Sequence, residues 1–331
     1  MPPFAPCRFR RPGPGGTGVP TGRALWLNPA MQPPAAQPAF RHIALIGKFQ
    51  SPEITESLHA LAGFLREQGC DVMVEQETAS NIGAAARAAS YAEIGASADL
   101  AVIVGGDGTM LAAARNLVRY RVPVVGINQG RLGFMTDIAL HDMRKSLGAI
   151  LGGEYSMEER SLIDAEILRG GKVILQTLAL NDAVMNKGAQ GRLIEFEVHI
   201  DGQYVYTQRS DGVIVATPTE STAYALSAQR PILHPSLPAF ALMPLYPHTL
   251  SARPVSISDR SVIEIVLLHA VDARAHFDGQ ALADLAEGDR LRLKRSGEAI
   301  RFVHPPGYSY FVMLREKLRW SESIDKAAPA R

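Results

Sequence analysis

The sequence contains only two cysteines, Cys7 and Cys70, in 331 residues. Two thiols cannot build a disulfide framework, and no CxxC pair offers a zinc site, so a reducing, cytoplasmic setting is expected. Apolar runs of the ~18 residues that a membrane-spanning helix requires are missing as well. The late hydrophobic stretch at 240–250 is interrupted by Pro244 and Pro247, and no membrane partner is expected. Charge of one sign is not in excess: 34 Lys+Arg meet 33 Asp+Glu, for a formal charge of +1. A general nucleic-acid binder shows a basic excess or stripe, so that class is set aside too. None of the nine histidines falls in HExxH spacing, and no metal held by protein side chains is expected. The GxSxG elbow of α/β-hydrolases and the GxxxxGK[ST] phosphate loop are also missing.

What remains is a globular composition, 47% hydrophobic and 20% charged. At about 150 residues per domain the length suggests roughly two domains, each able to bury a core without staples. Residues 1–40 stand apart. They are rich in proline and glycine, and no acidic residue precedes Glu53. Such a segment buries too little apolar surface to offset its ordering entropy, so a disordered extension is expected, with Met31 as a possible true start. From 41 to 142 strand and helix signals alternate. Apolar runs at 42–47, 71–75, 99–104 and 123–128 read as strands. Ser51, Pro52 and Glu53 open a helix that carries Ile54, Leu58, Leu61 and Leu65 at helical spacing and stops at Gly69. Helices are expected over 82–94 and 109–119. The alternation predicts a parallel sheet flanked by helices, with ligands beyond the carboxyl ends of the strands.

Gly105-Gly106-Asp107-Gly108-Thr109 occupies such a position, between an apolar strand and a helix. Glycines there allow a sharp turn and close approach of a ligand, and the helix start suits phosphate. Asp107 is the informative residue, because a carboxylate beside phosphates is repulsive unless it has a task. Two tasks qualify: meeting a divalent cation on the phosphates, or taking the proton of an attacking hydroxyl. Both point to phosphoryl transfer.

From 143 to 313 the pattern changes to short strands. Gly170-Gly171 and Asp201-Gly202 each join two alternating segments, a hairpin signal. Apolar or alternating runs at 213–216, 261–268, 273–277, 290–293 and 300–303 add further strands, and an all-β sandwich is expected. Asp-Gly-Gln occurs at 201–203 and again at 278–280. The stretch 217–222 carries too many hydroxyl side chains for a core element.

Taken in order, these motifs are specific. Gly105–Thr109 is followed by Gly126-Ile-Asn-Gln-Gly-Arg-Leu-Gly-Phe134, Leu180-Asn-Asp182 and Gln208-Arg-Ser-Asp-Gly212. Then come Thr217-Pro-Thr219, Ser221-Thr-Ala-Tyr-Ala-Leu-Ser-Ala228, Pro231-Ile-Leu-His-Pro235, Asp278-Gly-Gln280 and Tyr308-Ser-Tyr-Phe311. Over about 42–320 the chain resembles the bacterial NAD kinases. That resemblance implies an α/β domain plus a β-sandwich domain, with a C-terminal helix and tail at 314–331 returning to the first domain. It implies transfer of the ATP γ-phosphate to the adenosine-ribose 2′-hydroxyl of NAD, with Mg²⁺ or a similar cation, in a homodimer or homotetramer. Asp107 would be the base and Gly105, Gly106, Gly108 and Thr109 would hold phosphate. Gly108, Asn181, Asp182, Arg209, Asp211, Thr222, Ala223, Tyr224, Ala225, Leu226, Ser227 and Gln280 would join Asp107 around NAD. The chain departs from the pattern at Glu220, Gln229 and Arg230, where the family has glycine. If those glycines have positive φ, each replacement costs on the order of 1–2 kcal/mol. The opposite charges of Glu220 and Arg230 suggest a compensating pair. The alternative is a catalytically impaired NAD-binding relative.

Overall fold

The computed structural model describes residues 38–47, 52–82, 87–130, 133–189, 191–222, 232–247, 252–318 and 320. The extension expected at 1–40 lies almost wholly outside these. The first part of the chain alternates as its sequence predicts: β1 (His42–Gly47), α1 (Pro52–Glu67), β2 (Asp71–Glu75), α2 (Gln76–Ile82), β3 (Arg87–Ala89), α3 (Tyr91–Ser97), β4 (Leu100–Gly105), α4 (Asp107–Leu117) and β5 (Val124–Asn128). These strands pair in parallel in the order β3-β2-β1-β4-β5. β4 is buried from end to end, which is why it reads as a continuous apolar run rather than an alternation. Helices cover both faces. Leu58, Leu61 and Leu65 of α1 pack with Leu45 and Val102 on one side, and Met110, Ala114 and Leu117 of α4 pack with Ile46 and Ile103 on the other.

The single helix expected over 82–94 is not what forms. Ser90 Oγ accepts the Glu93 N–H at 3.3 Å, and the Glu93 carboxylate accepts the Ser90 N–H at 2.8 Å. This capping box restarts the helix at Tyr91, while Arg87–Ala89 joins the sheet edge beside β2. Alanine favours helix, but an available strand partner outweighs a propensity of a few tenths of a kcal/mol. The helix expected at 109–119 likewise begins earlier, at Asp107.

β6 (Ile138–Ala139) and α5 (Met143–Leu151) follow, and α5 sends Leu147, Ile150 and Leu151 into the core beneath α1. The remaining elements are β7 (Ser156–Arg169), β8 (Lys172–Ala179), β9 (Asp182–Lys187), β10 (Ile194–Ile200), β11 (Gln203–Ser210), β12 (Gly212–Ala216), β13 (Ala239–Leu245), β14 (Val255–Ser258), β15 (Ile263–His269), β16 (Ala273–Phe277), β17 (Ala281–Leu285), β18 (Arg290–His304) and α6 (Tyr310–Leu318). Both expected hairpin turns form with left-handed pairs, φ 55° and 79° at Gly170-Gly171 and 52° and 77° at Asp201-Gly202, as type I′ geometry requires. A six-stranded antiparallel sheet, β14-β13-β12-β9-β16-β17, faces strands of the larger sheet. Phe196, Phe240, Phe277, Ile265 and Leu293 fill the space between them.

The segments at 290–293 and 300–303 are not two strands but one, β18, which changes register between Arg295 and Ala299. This strand runs antiparallel to β7 and β15 and meets β5 in parallel through Phe302 opposite Val124. The parallel and antiparallel halves are therefore one continuous twelve-stranded sheet. Phe302, 1% exposed, lies under the Arg160 guanidinium at 4.5 Å. Replacing Phe302 with Ala should cost about 3–5 kcal/mol in urea unfolding. A loss below about 1 kcal/mol would show that the junction is not a core element.

Candidate active site

The parallel strands β1, β4 and β5 end at Gly47, Gly105 and Asn128, and the first site residues cluster beyond those ends. Gly106 is the N-cap of α4 and contributes no side-chain cap. None of Gly105, Gly106 and Gly108 has a positive φ, so the turn itself does not demand glycine. Their reasons differ. A Cβ on Gly105 would lie 2.6 Å from Thr109 Oγ1, whereas Gly106 and Gly108 face open space. Gly106, Gly108 and Thr109 line a cleft of about 440 Å³ together with Gly47, Glu75, Glu77, Tyr91 and Gln280. Thr109 Oγ1 is buried there without a hydrogen-bond partner.

Asp107 occupies the first turn of α4, and its carboxylate is held by the loop at 133–136. Oδ2 accepts the Phe134 N–H at 2.9 Å, and Oδ1 accepts the Met135 N–H at 3.1 Å and the Thr136 hydroxyl at 3.2 Å. The approach is so close that a Cβ on Gly133 would sit 2.0 Å from Oδ1. Asn128 supports the same loop, donating to Thr136 Oγ1 at 2.8 Å and accepting the Gly130 N–H at 2.7 Å.

The second cluster forms at one end of the small sheet. β9 begins at Asp182 opposite Ala216, the last residue of β12, and Ala183 lies opposite Phe277, the last of β16. Asn181, Asp182, Glu220, Asp278 and Gly279 thereby meet. With Val184, Asn186, Leu245 and His276 they line a second cleft of about 390 Å³ on the outer face of that sheet. Asp278, at φ 54°, and Gly279, at φ 63°, make a left-handed turn. The buried Asp278 carboxylate accepts the N–H groups of Leu180, Asn181 and Asp182 at 3.0, 2.7 and 3.2 Å. Arg115 Nη1 approaches it at 3.8 Å. Two residues on, Gln280 Nε2 donates to the Gly108 carbonyl at 2.9 Å. The turn is thus a wall common to both clefts.

Burial, then the neighbouring Asp278 charge, pushes the Asp182 carboxyl up to about 7. Burial also raises Asp278, against its three backbone hydrogen bonds and Arg115. His276, on the wall of this cleft, is held below its ordinary value by burial and then by Arg274. Asn181 Oδ1 and Asn186 Oδ1 are buried without a hydrogen-bond partner, which marks the wall as polar surface lacking a complement.

Not every expected residue converges. Arg209 lies on β11, largely exposed, 3.9 Å from Glu195. Asp211 pairs with Lys187 at 2.8 Å just before β12, about 20 Å of strand from Thr217 at ~3.3 Å per residue. The side chain of Thr222, residues 223–227, Gln229 and Arg230 lie outside the described residues, and so does the supposed Glu220–Arg230 pair. Glu220 has no positive φ, so a side chain is unstrained there; it is 2% exposed and sits on the wall of the second cleft. Reasoning from the sequence missed Glu75, Tyr91, Asn186, His276 and the 133–136 loop. Only the repeated Asp-Gly-Gln hinted that the turn at 278 has more than a hairpin role.

Comparison with known proteins places this geometry. Residues 43–155 match the ATP-NAD kinase N-terminal domain and 180–305 the ATP-NAD kinase C-terminal domain. The chain is 60% identical over 299 residues to the NAD kinase of Aromatoleum aromaticum, covering 90% of this chain and 98% of that one. It is 49% identical over 286 residues to the NAD kinase of Laribacter hongkongensis, covering 86% and 98%. The fold is that of yeast NADH kinase complexed with NADH (TM-score 0.80, 23% identity, 88% and 90% covered). It is also that of an NAD kinase from Archaeoglobus fulgidus in complex with ATP (TM-score 0.66, 25% identity, 84% and 98% covered).

The raised Asp182 has a consequence for stability. Its folded value of about 7 exceeds the ordinary 3.8, so the folded state holds this proton more tightly. The contribution is present at low pH and is lost as pH rises through that window. Asp182→Asn should therefore raise unfolding stability more at pH 8 than at pH 5, read by urea titration. Equal gains at both values would show that Asp182 titrates normally.

Proposed function

From the premise that this chain belongs to the NAD kinase family and phosphorylates NAD, we propose the finer chemistry: the ATP γ-phosphoryl group passes to the adenosine-ribose 2′-hydroxyl, and Asp107 takes the hydroxyl proton. The observation that carries this reading is the shared wall. One cleft is lined by the glycines at a helix N-terminus, which suits phosphate. The other offers Asn181, Asp182 and Asn186, which suit ribose and base. The Asp278–Gln280 turn, bonded to Gly108, makes the two clefts neighbours, as a two-substrate transfer requires. The Archaeoglobus relative's complex with ATP supports assigning one cleft to the nucleotide.

Asp107 follows Gly106 and precedes Gly108, both in the phosphate-side cleft. A carboxylate has about four acceptor directions. The 133–136 loop takes two on Oδ1 and one on Oδ2, which leaves Oδ2 one direction for a substrate hydroxyl. Gln280 fixes the Gly108 peptide beside it. Asn181 and Asp182 orient the nucleoside, and Asp211 and Arg209 serve ligand or subunit contacts at the far end of the sheet. Thr222, Ala223, Tyr224, Ala225, Leu226 and Ser227 complete the NAD site in this proposal.

A divalent cation fits the donor set only as a companion of the phosphates. Among the described residues no three metal-binding side chains cluster. Glu75 and Glu77 line the phosphate-side cleft, Glu75 with its carboxylate already accepting the Glu77 and Thr78 N–H groups and the Thr78 hydroxyl, and Mg²⁺ commonly combines one or two carboxylates with phosphate oxygens. When bound, the cation neutralises phosphate charge that no phosphate-loop lysine is present to meet. The enzyme is proposed to act in the cytoplasm as a homodimer or homotetramer; the edge strand β11, with Tyr204 and Val205 exposed, supports association.

NADP formation should fall about 10²–10⁴-fold in Asp107→Asn, with KM values for NAD and ATP little changed. Undiminished turnover in that variant removes Asp107 as base. No turnover in the unaltered chain, with NAD still bound by calorimetry, would instead identify Glu220 and its neighbours as disabling. Excess chelator should abolish activity, and full activity in its presence would contradict the requirement for a cation.

A further inference from the structure

A buried ionic group lies outside both clefts, at the end of β18. His304, 3% exposed, holds Asp137 Oδ2 through Nδ1 at 2.8 Å, and its Nε2 lies 3.6 Å from Glu158 Oε2. Arg160 donates to Glu158 Oε1 at 2.7 Å. Tyr308 stacks flat on the imidazole, centroids 3.7 Å apart and planes 6° from parallel. Four ionisable groups in one buried place form an expensive arrangement, tolerated only where charges and hydrogen bonds meet one another in a close geometry. With His304 protonated, the two acids and two bases balance. Burial alone would depress His304, but its hydrogen bond to Asp137 and the nearby Glu158 carboxylate outweigh that and raise it. Glu158 is driven the other way, to about 2, because His304 and Arg160 outweigh the cost of its burial.

The position of Asp137 gives this group its meaning. It directly follows Thr136, the last of the three residues whose donors hold the Asp107 carboxylate. The other end of that loop is gripped by the same C-terminal segment. Phe134 packs against Tyr310, Met313 and Leu314 of α6, and Lys317 Nζ lies 5.6 Å from its ring. The loop that holds Asp107 is thus fastened on both sides by residues 304–318, which follow the rest of the fold in the chain.

We infer that His304 is a positioning residue: through Asp137 it sets the Phe134–Thr136 donors and, through them, the place of the Asp107 carboxylate. This rests on the proposed role of Asp107. A nearby displacement of a reacting group by about 1 Å can cost 10²-fold in rate, while substrate binding, which uses other walls, is spared.

The test uses the full chain with three variants and two readouts: steady-state kinetics, and amide hydrogen exchange over 133–137. His304→Leu removes the donor to Asp137. It should lower kcat about tenfold or more, leave KM for NAD and ATP within about threefold, and speed exchange selectively at 133–137. His304→Asn keeps a donor near the Nδ1 position and should recover most of both. If the leucine variant does not fold, Asp137→Asn, which weakens the pair while keeping its shape, should show the same selective loss. The inference is overturned by unchanged kcat in a folded His304→Leu, by KM rising in step with the fall in kcat, or by an asparagine variant no better than leucine. Should Asp107→Asn retain turnover, the base reading fails by itself; selective exchange at 133–137 in His304→Leu still decides whether the clamp exists.

Discussion

One buried carboxylate organises the centre of this molecule. Asp278 accepts three successive backbone N–H groups, from Leu180, Asn181 and Asp182. A buried charge is tolerated only where hydrogen bonds and a counter-charge meet it, and Arg115 from α4 supplies the latter. Removing the carboxylate would leave three N–H groups without their partner, at about 1–3 kcal/mol for each that stays buried and unsatisfied. Because Arg115 belongs to the helix that starts at Asp107, this pairing ties the glycine-rich turn to the antiparallel sheet. Gln280, on the same hairpin, repeats the tie at Gly108. The two clefts exist as neighbours because these contacts bring a helix start and a hairpin turn together.

Asp107 is held on the same principle by different means. Its oxygens meet two backbone N–H groups and a hydroxyl from one short loop, and that loop is fastened by the ionic group around His304 and by α6. Both acidic residues therefore take their places largely from backbone amides, Asp278 with Arg115 as its counter-charge. Amides move only if the chain moves. The rigidity comes from the sheet, whose long strand β18 joins the parallel and antiparallel halves at Phe302 and ends at His304.

Much of the fold was legible beforehand. β1, β2 and β16 have the boundaries their apolar runs announced, and the Gly170-Gly171 and Asp201-Gly202 turns have the left-handed geometry their residues favour. The misreadings share a cause. The alanine-rich 82–94 segment contains a sheet-edge strand, and the two segments at 290–303 are one bulged strand. In each, a partner strand distant in sequence decided the outcome, and local propensity carries no record of that partner. The glycines at 105, 106 and 108 lie at the strand end their sequence announced, but the turn needs no positive φ there.

The sequence by itself determined the alternation of strand and helix, the hairpins, the position of the glycine-rich turn at a strand end, and the family. These depend on periodicity, on glycine stereochemistry and on ordered motifs, all of which are local. Tertiary structure alone decided that Asp278 is a buried clamp on three N–H groups while the similar Asp201, at an exposed turn, accepts one, from Val262. It alone decided that Asp182 holds its proton near neutrality, that Asp107 rests on the 133–136 loop, and that His304 reaches that loop. The physical reason is that burial, charge pairing and amide direction arise between segments that meet only when the chain is folded.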